Sequence, residues 1–385
     1  MDRIALKYGI NPHQGNATLS IEAGALPLTV LNGTAGYINI LDALLGWQLV
    51  SELKRATNLA SAASFKHARP AGSAVAVSLK STERAMFFID EEYPLSEQAT
   101  AFVRARGADR LSSFGDFIAL SDRCDESTAR LIALEVSDGI IAPAYDPEAL
   151  ALLKKKRKGS YLILQIDPTF APPSLEERTL FGLTLTQERN TLLLDETVLS
   201  PIVTRNRALS ESAKRDLLVA LNTLKYTQSN SVCYAARGQA IGVGAGQQSR
   251  IHCTRLAGEK ADLFHLRQSE RILTLPFKKG LSRNAKDNAI DQYLRGELID
   301  RDGVFTTPVA PMTGAERRAI LGGLDGVSLA SDAFFPFRDN IDRARQSGVR
   351  YVVQAGGSVR DDEVIAACDE HDMVMICNKI RLFLH

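Results

Sequence analysis

The chain has 385 residues, of which 45% are hydrophobic, and this size and composition are typical of a soluble globular protein with room for two domains. Lys and Arg total 46 against 45 Asp and Glu, so there is no global basic field of the kind that favours nucleic-acid binding. No stretch approaches the roughly 18 consecutive apolar residues of a membrane helix, and the N-terminus lacks the apolar region of a signal peptide. The five cysteines form no C-x-x-C pair, which fits a reducing cytoplasm and gives no support for structural zinc.

In the first half, sequence patterns predict alternating loops, helices and strands. Residues 7–14 form a loop by their Gly, Asn and Pro content. That loop is either a surface turn or a ligand loop, with Lys7 as an anion contact and Tyr8 as a stacking face. Leucines at helical spacing predict a helix over about 40–53, and further helices are expected over 126–136 and 147–155, the last with Asp146 as N-cap. Strands are predicted over 137–143 and 161–166, and the basic run 154–158 is interpreted as a solvated charge run.

The stretch 64–72 carries the strongest chemical signal. An Ala/Ser-rich run before it predicts a buried strand, and Pro70 and Gly72 favour a turn after it. Lys66 and His67 would therefore stand at a strand end, where the ammonium charge helps to keep the imidazole a neutral base. A neutral base beside a fixed cation suits acyl transfer. By themselves, however, these two residues are more often a solvated edge than a catalytic pair.

The second half repeats this plan. A helix capped by Ser210 leads into residues 226–234, as the first helix leads into the stretch around His67. Later segments predict a strand over 350–354, a helix over 361–368 and a strand over 373–376. We therefore expect two α/β units, residues 1–180 and 181–385, with a small helical insertion at about 282–326 in the second.

The glycine run Gly242-Val243-Gly244-Ala245-Gly246 allows two interpretations. It follows a strand-like segment and precedes a helix beginning near Gln247, so a phosphate cradle is physically possible. It does not match the dinucleotide fingerprint, and no P-loop lysine follows it. A close-packed turn is the favoured interpretation.

These motifs, in this order, resemble AICAR transformylase, the folate-dependent formyltransferase of purine synthesis. The matching stretches cover nearly the whole chain: 7–14, 31–53, 64–72, 104–121, 136–143, 225–234, 242–256, 331–340 and 381–385. The resemblance implies a duplicated cytidine-deaminase-like α/β/α fold. It also implies transfer of the formyl group of 10-formyltetrahydrofolate to the 5-amino group of the aminoimidazole carboxamide ribotide AICAR.

Residue roles follow from the same resemblance. His67 would act as the base, Lys66 would stabilise the oxyanion or protonate the departing folate nitrogen, and Asn230 would hold the carboxamide. AICAR-binding positions are Lys7, Tyr8, Gly115, Asp138, Phe334 and Arg381, the last as a phosphate contact. Folate-binding positions are Leu111, Ser249, Arg250, Pro336, Phe337, Asp339 and Asn340. No catalytic metal is implied, although a structural monovalent cation such as K⁺ is implied near Asn230 and the C-terminus.

The resemblance also implies a homodimer whose active sites lie at the subunit interface. Two departures from the family pattern matter here. Position 7 is lysine where the family usually has arginine, so a bidentate fork on the phosphate becomes a point charge. The chain begins almost at the Lys7 loop, from which we expect no IMP cyclohydrolase activity and a separate cyclohydrolase in the pathway.

Three other functions were weighed against this one. A zinc deaminase would need a C-x-x-C ligand pair that the sequence lacks. Formylation of AICAR with formate and ATP would need an ATP site, and there is no P-loop. A non-catalytic nucleotide- or folate-binding protein is disfavoured by intact Lys66, His67 and Asn230.

Overall fold

Helices and strands alternate along almost the whole chain. A computed structural model describes residues 2–22, 24–297 and 303–385, and in these residues there are fifteen strands and twelve α-helices. The strands before residue 170 are β1 (Arg3–Ala5), β2 (Thr18–Ser20), β3 (Leu28–Asn32), β4 (Ser61–Lys66), β5 (Arg69–Val75), β6 (Asp116–Leu120), β7 (Ser137–Ala142) and β8 (Leu162–Ile166). The later strands are β9 (Leu175–Leu180), β10 (Leu183–Glu188), β11 (Val232–Ala236), β12 (Gln239–Gly244), β13 (Val327–Ser331), β14 (Val349–Gln354) and β15 (Val374–Cys377). The helices are α1 (Tyr37–Thr57), α2 (Ser81–Met86), α3 (Glu97–Gly107), α4 (Glu126–Ala133), α5 (Pro147–Lys154), α6 (Glu211–Lys225), α7 (Arg250–Leu266), α8 (Glu270–Leu273), α9 (Arg283–Arg295), α10 (Gly314–Gly322), α11 (Asp339–Gln346) and α12 (Asp361–Glu370).

One large mixed sheet organises the molecule. Its strand order is β15-β14-β13-β11-β12-β5-β4-β6-β7-β8-β3. From the centre outward, β5-β4-β6-β7-β8 on one side corresponds to β12-β11-β13-β14-β15 on the other. Each set starts with an antiparallel hairpin and ends in three parallel strands, and β12 joins β5 where Gln239 pairs with Ala74. The predicted α/β class is therefore confirmed, and both halves use the same strand order.

Helices cover both faces of the sheet because the strands are apolar on both sides. Ala62 and Ile118 belong to one core, whereas the adjacent Ala63 and Phe117 belong to a second core on the opposite face. Helices α1 and α6 pack on the second face, and α3, α4, α7, α11 and α12 pack on the first. A third, smaller core lies between α7, α8 and α9.

The observed bounds extend or trim several predicted elements. The helix expected over 40–53 is α1, which starts after Gly36, whose N–H donates to Asn39, and ends at Asn58 in the left-handed region (φ 54°). Asp146 precedes α5 as its N-cap residue but makes no side-chain cap bond. The inserted segment contains α9 and α10, the latter with the expected capping box at Thr313. Residues 298–302 of that segment lie outside the described residues.

Pro70 and Gly72 were wrongly expected to form a turn. Both lie inside β5. The turn comes just before that strand, at His67 and Ala68. Gly72 serves close packing here, because a Cβ at this position would stand 2.3 Å from the carbonyl oxygen of Ala105 in α3.

The glycine run is also a close-packing feature, although it is not a turn. Gly242 and Gly244 lie in β12, and added Cβ atoms would stand 2.1 Å and 2.3 Å from the carbonyl oxygens of Ala257 and Cys253 in α7. The favoured interpretation of close packing is thus confirmed, but the packing lies between a strand and a helix. In the described ranges, no helix is both long enough and apolar enough to cross a membrane.

Candidate functional site

Lys66 and His67 stand at the tip of the β4–β5 hairpin. Lys66 pairs with Arg69, so His67 and Ala68 form a two-residue loop. Both loop residues are in the left-handed region, with φ of 55° and 57°, as a type I′ turn requires. This conformation is costly for residues other than glycine and needs support from its surroundings.

That support comes from Asp42 in α1. Its Oδ1 accepts a hydrogen bond of 2.6 Å from the backbone N–H of Ala68, and the residue is only 6% exposed. Burial raises the pKa of Asp42 to about 6, an effect that the hydrogen bond from Ala68 and the charge of Arg69 oppose. The carboxylate therefore holds the turn from the helix layer below it.

The hairpin tip opens into a cavity of about 370 Å³. Its wall comes from the N-terminal loop, the start of α1, the hairpin tip, the starts of β6 and β7, and the segment that follows α5. The lining residues are Lys7, Tyr8, Ile10, Pro12, Thr34, Gly36, Tyr37, Ile38, Asn39, Asp42, Lys66, His67, Gly115, Asp138, Arg157, Ser160 and Leu162. Six predicted site residues thus share one cavity: Lys7, Tyr8, Lys66, His67, Gly115 and Asp138.

Cations dominate this cavity. Lys66 donates a 2.5 Å hydrogen bond from Nζ to the carbonyl oxygen of Phe114 and lines the cavity together with the exposed His67. Arg157 pairs with Asp138 at 2.8 Å, and exposed Lys7 adds a further positive charge. The arrangement can bind an anionic small molecule and offer it a base and a cation side by side.

Asn230 belongs to a separate polar cluster around the start of α7. Its Nδ2 donates to the carbonyl oxygens of Gln247 and Gln248, at 3.0 and 3.2 Å, and its Oδ1 accepts from Arg250 at 2.9 Å. Buried Arg250 also forms an ion pair with the fully buried Asp332. Neither Asn230 nor Arg250 lines the cavity at the hairpin tip.

The other predicted positions are also outside that cavity. Ser249 precedes α7 as its N-cap residue, and Asp339 begins α11. Phe334 and Phe337 are exposed by 41% and 49%. The Arg381 guanidinium carbon lies 4.8 Å from the centre of the Phe383 ring, and buried Asn340 accepts a hydrogen bond from the Thr254 hydroxyl. Pro336 is half-buried, and Leu111 lines a second cavity of about 180 Å³.

Sequence reasoning missed three polar residues of the main cavity: Asn39, Asp42 and Arg157. Asn39 and Asp42 looked like ordinary polar positions of a helix. Arg157 belonged to a basic run that was interpreted as solvated, and the run did carry a signal, since it immediately precedes a buried strand. In the described ranges, no group of three or more His, Cys, Asp or Glu side chains is placed to hold a metal ion.

The fold and the cavity define an α/β protein that presents a Lys-His turn to a small-molecule site. A family model described as AICARFT/IMPCHase bienzyme matches residues 2–260. The bifunctional purine biosynthesis proteins PurH of Magnetococcus marinus and Roseobacter denitrificans are each 34% identical to this chain, over 387 and 386 residues. PurH of Xylella fastidiosa is 30% identical over 386 residues.

These alignments cover 99% of this chain, which spans 58–59% of the length of the relatives. The chain belongs to the AICARFT/IMPCHase family of purine-biosynthesis formyltransferases and cyclohydrolases.

Proposed function

We propose that the chain is a folate-dependent formyltransferase of purine biosynthesis. It would transfer the formyl group of 10-formyltetrahydrofolate to the 5-amino group of AICAR, giving FAICAR and tetrahydrofolate. The observation that carries this proposal is the position of Lys66 and His67 at a supported turn that opens into a cationic cavity. Family membership supports the same reaction class.

His67 is the proposed base. An aromatic-ring amine is a weak nucleophile, so its attack on the formyl carbon needs removal of a proton as the new bond forms. The His67 ring is exposed toward the cavity mouth and can receive that proton. Lys66, fixed by Phe114, would donate to the carbonyl oxygen as negative charge develops, or to the folate nitrogen as it leaves.

We further propose that two copies of the chain complete each site. All lining residues of the cavity come from residues 7–162, whereas Asn230, Phe334 and Arg381 are elsewhere. A partner subunit that contributes its second half would bring the proposed carboxamide and folate contacts to the Lys66–His67 turn. The folate contacts in the second half would be Ser249, Arg250, Pro336, Phe337, Asp339 and Asn340, whereas the remaining folate position, Leu111, belongs to the first half.

Two structural features of the resemblance are proposed with it. The outward strand order from β5 and from β12 is the same, which supports two cytidine-deaminase-like units, residues 1–180 and 181–385. The oxygen atoms near Asn230 are of the chemical type that would coordinate a structural K⁺. Ser229 and Ser231 both donate to Asp332, at 2.7 and 3.0 Å, and the carbonyl of Leu384 accepts from the Ser229 N–H at 3.0 Å.

The proposal is tested by following tetrahydrofolate release from 10-formyltetrahydrofolate in the presence of AICAR. The wild-type chain should turn over and His67→Ala should lose at least about 100-fold in kcat, the contribution typical of a general base. His371→Ala is the matched control, because His371 pairs with Asp342 at 2.9 Å outside the cavity and its loss should leave kcat unchanged.

Three other outcomes would contradict the proposal in different ways. Turnover only with formate and ATP would replace the folate donor and keep the nucleotide site. AICAR binding without turnover under either condition would identify a non-catalytic binding protein. Full activity of His67→Ala would refute the role of the base.

A further inference from the structure

Arg157 is a cavity residue with an unusual setting. Its Nη1 donates to Oδ1 of Asp138 at 2.8 Å, and both side chains are about half exposed, at 49% and 48%. Among the described residues, no hydrogen-bond partner is found for Nε or Nη2 of Arg157. One edge of the guanidinium is therefore held by Asp138 while the other can bind a ligand.

The backbone around Arg157 is held in a high-energy conformation. Arg157, Lys158 and Gly159 have φ of 53°, 56° and 89°, so two consecutive residues other than glycine lie in the left-handed region. Ser160 donates to the carbonyl oxygen of Arg157 at 2.8 Å, and Asn32 donates to that of Gly159 at 3.0 Å. A local bond from Ser160 and a tertiary bond from Asn32 thus hold this costly loop, and Arg157 lines the cavity from it with half of its side chain exposed.

The charges that face the cavity leave an excess of cations. Lys7, Lys66 and Arg157 are positive and Asp42 and Asp138 are the two carboxylates of the lining, so the cations exceed the carboxylates by one. Lys7 provides only a compact point charge, and a lysine cannot form the two parallel hydrogen bonds by which a guanidinium holds a phosphate.

We propose that Arg157 binds the 5′-phosphate of the nucleotide substrate and supplies the bidentate contact that Lys7 lacks. This inference rests on the proposed formyltransferase function and deepens it. Asp138 orients the guanidinium through Nη1, the free edge faces the phosphate, and Lys7 adds its charge from the N-terminal loop. Arg157 is then a specificity residue that selects the phosphorylated substrate.

The test measures kcat and KM with AICAR and with the unphosphorylated AICA ribonucleoside. Arg157→Ala should raise KM for AICAR by about 10-fold to 50-fold, the loss expected for a charge-assisted contact, with kcat nearly unchanged. It should leave kcat/KM for the ribonucleoside unchanged, because that substrate has no phosphate. Arg157→Lys should be intermediate, and Lys7→Arg in the Arg157→Ala background should restore at least part of the affinity.

Arg123→Ala is the matched control, because Arg123 forms a similarly exposed pair with Asp146 at 3.4 Å and does not line the cavity. The inference would be overturned if Arg157→Ala affected the nucleotide and the ribonucleoside equally, or if it left KM for AICAR unchanged. Turnover by the wild-type chain would still support the proposed function in either case. If the wild-type chain shows no formyl transfer, calorimetric titration with AICAR and with the ribonucleoside still tests Arg157. Loss of phosphate discrimination in Arg157→Ala would support the inference there, and unchanged discrimination would overturn it.

Discussion

Replacing Asp42 by alanine tests how the reactive turn is held. The substitution removes a buried acceptor that lies 2.6 Å from the backbone N–H of Ala68. The His67–Ala68 loop would then keep its two left-handed residues without that hydrogen bond. Lys66 and His67 should lose their fixed position relative to the cavity.

The magnitude follows from two contributions. A hydrogen bond to a charged acceptor contributes about 1.5–3 kcal/mol. Each residue other than glycine in the left-handed region costs about 1–2 kcal/mol, which that hydrogen bond helps to offset. A loss of about 2 kcal/mol in the preference for the reactive conformation corresponds to about 30-fold in rate. We therefore expect Asp42→Ala to lower kcat for formyl transfer by about 10-fold to 100-fold.

The second half of the chain provides a matched control. Asp216 in α6 accepts hydrogen bonds of 2.8 and 2.5 Å from the N–H groups of Arg237 and Gly238, which form the corresponding turn of the β11–β12 hairpin. Gly238 hydrogen-bonds Val75 at the far end of β5, about 20 Å along that strand from the His67 turn. Asp216→Ala should disturb a similar turn and leave kcat per folded molecule unchanged.

Two further variants separate positioning from other effects of Asp42. Asp42→Asn keeps an oxygen acceptor and should retain most of the activity. In the Asp42→Ala background, Ala68→Gly removes the strain at one turn residue and should recover part of kcat. Steady-state kinetics, with amide hydrogen exchange at Ala68 as a readout independent of turnover, would check all four variants. Wild-type kcat and unchanged exchange in Asp42→Ala would refute this reasoning.

Three stability predictions concern the same fold. Burial raises the pKa of Asp42 from 3.8 to about 6, so between these pH values the folded chain binds more protons than the unfolded chain. The free energy of unfolding should therefore fall as pH rises through that window. Urea denaturation at several pH values should show a weaker fall in Asp42→Asn. Gly72→Ala should lower the free energy of unfolding by about 3 kcal/mol, because the added Cβ would overlap the main chain of α3. Thermal denaturation should show a lower Tm, and an unchanged Tm would contradict that close approach. Arg104→Ala should cost about 3 kcal/mol in chemical denaturation, since it removes one ion-pair partner of buried Glu83 and leaves that carboxylate with Arg237 at 2.9 Å. Arg130→Ala, which breaks an exposed pair, should cost less than about 1 kcal/mol, and equal costs would contradict the argument.

Local sequence patterns located most of the helices but fewer than half of the strands of the described residues. The cap at Ser210, for example, is present, with Oγ accepting from the N–H of Ala213. Such features depend on a few neighbouring residues and on the period of apolar positions, which the sequence displays directly. The position of Lys66 at a strand end was likewise predictable, because a strand signal ended beside it.

Local patterns were misleading where the decisive contact is distant in sequence. Pro70 and Gly72 resemble turn residues, yet Gly72 is small because α3 packs against it. The glycines of β12 have the same explanation in α7. A glycine that permits a turn and a glycine that permits close packing are identical in sequence, and only the neighbouring helix distinguishes them.

The sequence by itself determined the α/β class, the positions of most helices and the Lys66–His67 pair at the end of a strand. Only the tertiary structure decided which side chains meet that pair. Asp42 reaches the hairpin because α1 packs on β4. Arg157 lines the cavity from a left-handed loop whose Gly159 carbonyl accepts a hydrogen bond from Asn32, 127 residues earlier in the chain. Contacts of this kind depend on how helices and loops pack against the sheet, over separations for which periodicity and capping carry no information.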